Sequence, residues 1–293
     1  MTTTKEIAQP FFDLVAAAPF RIAPERADEL TREIFRGDEW TLRPSETEAN
    51  FYAIPEDKTI FASYAGLASL WCLAHAAFHT IDITSHRQRS SGAGEEQIDI
   101  GDYWKALRLG EYVAYARSLF RADTDWPDTL PQPSLDVGFD TPEGRVNNIF
   151  FGALSWIILH EIAHIHNADE VHVPHNQRVQ QEYLADDFAT RWVLKDAVSE
   201  MREFRVLMIC LALTWLFLHE DTVRTGSTHP QAFLRFREAA AIFEMDDELS
   251  PGLENAAYLF KAVLDPSTEG PTFETPQEYF DWISERLEAL FRE

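Results

Sequence analysis

The chain has 293 residues, 45% of them hydrophobic, enough to bury a sizeable core in one large domain or two modest ones. Its formal net charge of -24, from 49 acidic against 25 basic residues, excludes a general affinity for nucleic acid or for an anionic membrane surface. The two cysteines, Cys72 and Cys210, both sit in apolar runs, which excludes a disulfide framework or a cysteine-rich zinc finger.

The first residues lack a positively charged leader, and Asp13 interrupts their apolar stretch, so a cytoplasmic protein is expected. Periodicity predicts helices over 5–18 and 25–36, the second closed by Gly37. In 50–63, two short aromatic and β-branched runs flank Pro55-Glu56-Asp57-Lys58, which predicts a β-hairpin as the only sheet structure of note. An apolar helix follows over 64–81, with His75 and His79 one turn apart. No carboxylate adjoins that pair, so it reads as core more readily than as a metal site. The polar, Gly/Ser-rich stretch 85–97 predicts a mobile loop, a candidate lid or nick site, and 102–120 a further helix. Four prolines within 125–144 predict an extended surface connection. The chain thus divides into a helical and hairpin half (1–122), a Pro-rich connection (123–144) and a metal-binding half (145–293). The helix after the connection is too apolar to stand alone, so one domain spanning 1–293 is expected.

That helix carries the chemistry. In "SWIILHEIAHIHN" (155–167), His160 and His164 are four apart and share a helix face, so both imidazoles can point at one ion. Glu161 lies about 100° round the helix from His160, placed to reach a water on that ion rather than the ion itself. This is the HExxH pattern, in which the glutamate is general base to a zinc-bound water. A catalytic zinc needs a third protein ligand and an open position. Glu182, in a helix otherwise patterned for burial ("QEYLADDFATRWVL"), meets that need. Asp186, one turn on, can accept the outer N–H of a liganding histidine. The loop after the motif offers rivals in Glu170, His172 and His175, with Asn167 at the position where a related pattern has a glycine in the left-handed region. The apolar run Val206–Leu218 is shorter than the roughly 20 residues of a spanning helix and predicts a buried one. In "STHPQAFLRF" (227–236), Pro230 suits a helix start, His229 could donate to an oxyanion, and Arg235 could bind a substrate carbonyl or pair with Asp186 or Asp187. Beyond 244, two amphipathic helices close the bundle.

"HEIAH", then "EYLAD", then "STHPQAFLRF" resemble the HtpX-type zinc metallopeptidases, while the absence of clear membrane spans is more similar to the Lit family of cytosolic phage-exclusion peptidases. The resemblance implies a mainly α, zincin-like domain of the gluzincin type with a small β-hairpin near the active site. It implies zinc on His160, His164 and Glu182, Glu161 as base, Asp186 behind a histidine ligand, and His229 with Arg235 near a protein or peptide substrate. For the Lit family the implied substrate is elongation factor Tu, cut when an activating phage product is present. Two other readings remain open at this point: a regulatory peptidase that cleaves a repressor or antitoxin, and a non-catalytic zinc module whose fourth position is closed by His172 or His175.

Overall fold

The computed structural model describes residues 2–35, 40–90, 101–170, 172–223, 230–243 and 249–291. Helix α1 (Thr4–Phe12) starts on a reciprocal cap, in which Thr3 Oγ1 accepts the Glu6 N–H and the Glu6 carboxylate accepts the Thr3 N–H. The helix expected over 5–18 ends early at Asp13, and a 3-10 turn leads into α2 (Ala18–Ile22). The one expected over 25–36 is likewise not continuous: a 3-10 turn, the short α3 (Ala27–Glu29) and a π-turn to Ile34 follow one another. Pro19 and Pro24 stand where such segments begin, since proline fits a first turn and breaks a helix interior. Gly37 lies outside the described residues.

The sheet has three strands, β1 (Thr41–Ser45), β2 (Phe51–Ile54) and β3 (Thr59–Ser63), in the order β1-β3-β2. The expected hairpin is β2 and β3, antiparallel across a turn that ends on Lys58 with φ 48. It is not the whole sheet, because β1 runs parallel to β3 with Thr41 opposite Thr59. β1 carries no apolar alternation and holds Pro44, which a sheet tolerates at an edge.

Ser63 joins the sheet to α4 (Tyr64–Ser90): its Oγ accepts the Gly66 N–H at 2.8 Å and the Asn50 N–H at 2.9 Å. A Cβ on Gly66 would stand 3.0 Å from the Asn50 carbonyl oxygen, so glycine lets α4 start hard against the strand. α4 runs well past Ile81 and takes up the beginning of the stretch expected to be a loop, while 91–97 lie outside the described residues. The single helix expected over 102–120 is α5 (Gly101–Ala106) and α6 (Leu109–Ser118), broken at Arg108 with φ 56. The Arg108 guanidinium there binds Glu111 and the Thr129 carbonyl. The Pro-rich connection forms no helix or named strand before Pro142, but it is not confined to the surface, since Trp126 and Leu130 are buried.

Thr141 caps α7 (Pro142–His166) by accepting the Gly144 N–H, and Pro142 opens its first turn. α7 is buried along most of its length and packs against α2, α4, α8 (His175–Leu194) and α9 (Ser199–Val223). Among the described residues it is the one helix long and apolar enough to cross a membrane, and most of that apolar stretch is inside the protein. The Val206–Leu218 run lies within α9 and is almost entirely buried. α10 (Ala232–Phe243), α11 (Pro251–Leu264) and α12 (Pro276–Phe291) complete the chain, the last two being the expected closing helices. The architecture is mainly helical with a small sheet, and one apolar cluster reaches from Ile7 to Phe291. Cys72 and Cys210 are free and buried within it, and burial pushes both thiols up.

Candidate active site

α7 and α8 lie side by side and turn His160 and His164 toward Glu182. The two histidine Nε2 atoms are 3.1 Å apart; Glu182 Oε2 is 3.5 Å from that of His160, and Oε1 is 3.8 Å from that of His164. Each histidine has a carboxylate on its other nitrogen. Asp186 Oδ1 stands 2.9 Å from His160 Nδ1, and Asp169 Oδ2 stands 2.7 Å from His164 Nδ1. With those Nδ1 atoms protonated toward the carboxylates, both Nε2 lone pairs face the same point. Two lone pairs at that spacing repel unless a cation or a proton lies between them.

The three-ligand set suits a metal ion. Donors held about 2.0–2.2 Å from a tetrahedral ion are roughly 3.3–3.5 Å from one another, a spacing that the three observed distances bracket. The rival ligands of the following loop are not drawn in: Glu170, His172 and His175 are exposed, and the group of potential ligands among the described residues is His160, His164 and Glu182. A fourth histidine that would close the site is therefore not in place among them. His75 and His79 belong to the core instead. His75 stacks on Trp71 and packs at a tilt against Tyr112, with ring centroids 5.3 and 4.2 Å away.

The acids around this centre are held by Arg235 of α10, itself buried. Its guanidinium donates twice to Asp186, at 2.7 Å each, and its Nη1 lies 3.6 Å from Glu182 Oε2. Of the partners open to it in the sequence, Arg235 has taken Asp186. Burial would raise the Asp186 carboxyl, but Arg235 and His160 outweigh it and hold it low. Burial would likewise depress His160, yet the Asp186 and Glu182 carboxylates beside it lift it to about 10. Burial works against the Arg235 charge too, and Asp186, Glu182 and Glu161 keep it strongly cationic. Glu161 is buried in α7 and lines the same cleft. His229 lies outside the described residues.

Asp169 escapes the sequence patterns because a turn delivers it. Asn167 keeps helical angles, and it is Ala168, with φ 51, that enters the left-handed region. The Asp169 N–H then bonds the His164 carbonyl and the Ala168 N–H that of Ile165, the pair of bonds of a Schellman motif. This folds the Asp169 carboxylate back onto the histidine five residues earlier. Trp156, one turn before His160, stacks on that ring at 5.6 Å and is fixed by its bond to Thr190.

The cleft over the centre holds about 820 Å³, and β2, Asp169, Glu170, the first half of α8, α9 and the start of α10 form its walls. A largely buried two-histidine, one-glutamate cluster that could hold a metal ion, with a further glutamate beside it and a cleft of this size over it, has the make-up of a hydrolytic site in a mainly helical protein. The chain belongs to the Peptidase U49 family, whose model matches residues 60–256, and it is therefore a peptidase acting on a protein substrate. It is similar to the cell death peptidase of Escherichia coli (strain K12), 22% identical over 252 residues that cover 81% of this chain and 82% of the relative. Both findings agree with the resemblance to the Lit family carried by the motifs. No solved structure matches the chain.

Proposed function

We propose that this peptidase is zinc-dependent and of the gluzincin type, with His160, His164 and Glu182 as the metal ligands and Glu161 as general base. The observation that carries this reading is the convergence of three donor groups within 4.8 Å, each histidine backed by its own carboxylate. A bound zinc would polarise the scissile carbonyl and acidify a water there. Glu161 then takes the proton of the attacking water and passes it to the leaving amine, the double duty of a general base turned acid. Asp186 and Asp169 hold the two imidazoles in one tautomer, Arg235 fixes Asp186, and His229 is the proposed oxyanion donor.

The substrate is proposed to enter as an extended strand on β2. Ser63 donates to the Asn50 carbonyl, so Asn50 faces β3, and by antiparallel alternation Phe51 and Ala53 turn their N–H and C=O groups away from it. Both residues line the cleft, where an edge strand can pair with a peptide. By the Lit resemblance, elongation factor Tu is the first protein to test, with a phage product as activator, in a cytoplasmic protein acting as a single domain.

Metal content decides the matter. Purified wild type should hold about one zinc per chain and Glu182→Ala should lose it, whereas Glu161→Gln should keep the metal while hydrolysis falls by at least 10²-fold, on the order of a lost general base. Zinc retained in Glu182→Ala would move the third ligand elsewhere, and activity retained in Glu161→Gln would remove the assigned base.

A further inference from the structure

α9 contributes Leu216, His219 and Glu220 to the lining of the cleft, which Ala53 of β2 and Leu234 of α10 also line. The spacing of three and four residues puts them on one face of the helix. The face is braced from behind, with the His219 ring against Phe120 at 5.1 Å and stacked along Trp215. On this side the wall is largely apolar, and Glu220 is the carboxylate set into it.

Glu220 is half-buried and has one short bond, in which Oε2 accepts the Ala232 N–H at 2.6 Å at the first residue of α10. The fixed cation that acts on it is Arg235, whose guanidinium is already committed to Asp186 and Glu182. A carboxylate partly withdrawn from water, with a shared cation and a single backbone donor, is undercompensated. In keeping with this, burial raises the Glu220 carboxyl above its usual range despite both partners. Glu170 and Arg178 also line the cleft, and the chain as a whole carries a net charge of -24.

We infer that Glu220 is a specificity residue that receives a cationic side chain, lysine or arginine, from the substrate segment lying in the cleft. An apolar wall takes the aliphatic stem of such a side chain, and the carboxylate takes its charged head. This rests on the peptidase reading of the cleft and adds to it the chemical class of one substrate residue.

The test is a peptide mixture in which each position about the cut is varied in turn among Lys, Arg, Gln, Leu, Asp and Glu, digested by zinc-loaded full-length protein. Glu161→Gln serves as the blank. In Glu220→Gln the amide oxygen can still accept the Ala232 N–H, so the start of α10 keeps its cap while the charge goes. Wild type should prefer Lys or Arg over Asp or Glu at one position by on the order of tenfold or more in kcat/KM. Glu220→Gln should flatten that ratio, and Glu220→Lys should invert it. Cleavage by wild type without charge preference, or a preference unchanged in Glu220→Gln, overturns the inference and leaves the peptidase reading standing. No Glu161-dependent cleavage of any peptide, with the proposed phage activator supplied, overturns the assigned chemistry of this cleft, and the inference falls with it.

Discussion

His160 and His164 offer Nε2 to one point because a carboxylate holds the opposite nitrogen of each ring. The two carboxylates differ in how they are anchored. Asp186 is buried and clamped by Arg235, so its removal would leave the buried arginine with only the longer contact to Glu182 and confound any effect on metal with a loss of fold. Asp169 is half-buried on a turn and reaches His164 without a clamp among the bonds described, so it reports on the metal centre alone. Asp169→Asn should therefore weaken zinc binding by about 10–100-fold, the usual effect of losing a carboxylate behind a histidine ligand, with the thermal midpoint of the metal-free protein little changed. Titration against a chelator of known affinity measures this directly. Unchanged affinity would mean that the 2.7 Å contact does not tune His164.

At the scale of elements, the end of α7 sets the geometry of that contact. Ala168 holds φ 51, a region that costs an L-residue roughly 1–2 kcal/mol and glycine almost nothing. Ala168→Gly should raise stability by about 1 kcal/mol, once the greater chain entropy of glycine when unfolded is set against the relieved strain. A higher denaturant midpoint at constant slope is the expected result, and a lower midpoint would show that alanine rests there without strain. The same turn explains what the sequence could and could not reveal. His160, Glu161 and His164 are legible because their spacing is local, and Glu182 and Asp186 because acids four apart in an apolar helix require a partner. Asp169 is not legible, since its reach depends on an alanine adopting angles that alanine does not announce. β1 is hidden for a related reason: it pairs with β3, 18 residues on in register, and "TLRPS" has no alternation of its own. The break at Arg108 and the early end of α1 were equally out of view, because tertiary contacts rather than propensity decide them.

For the whole molecule, buried His160 and half-buried His75 pull stability in opposite directions with pH. In the metal-free protein His160 titrates at about 10, above its unfolded value near 6.5, so its contribution is complete below that value and is lost as pH rises toward 10. His75 is the reverse case: burial, and secondarily the charge of His79, hold it down to about 3. The unfolded chain then binds the extra proton between about 6.5 and 3, and stability falls as pH falls through that window, by about 1.4 kcal/mol per pH unit for one proton. His79 shifts the same way through burial. Acid also neutralises part of the charge of -24 and so relieves self-repulsion, which opposes the histidine effect and makes the wild-type curve alone ambiguous. His75→Phe separates the two, because phenylalanine keeps an aromatic ring against Trp71 and Tyr112 and cannot take a proton. Chemical denaturation at pH 7.5 and 4.5 should show wild type losing a few kcal/mol more than the variant over that interval, an order-of-magnitude estimate from the same slope. Equal losses in the two proteins would place the acid sensitivity in the carboxylates instead, and His75 would then be a packing residue whose ionisation the fold does not resist.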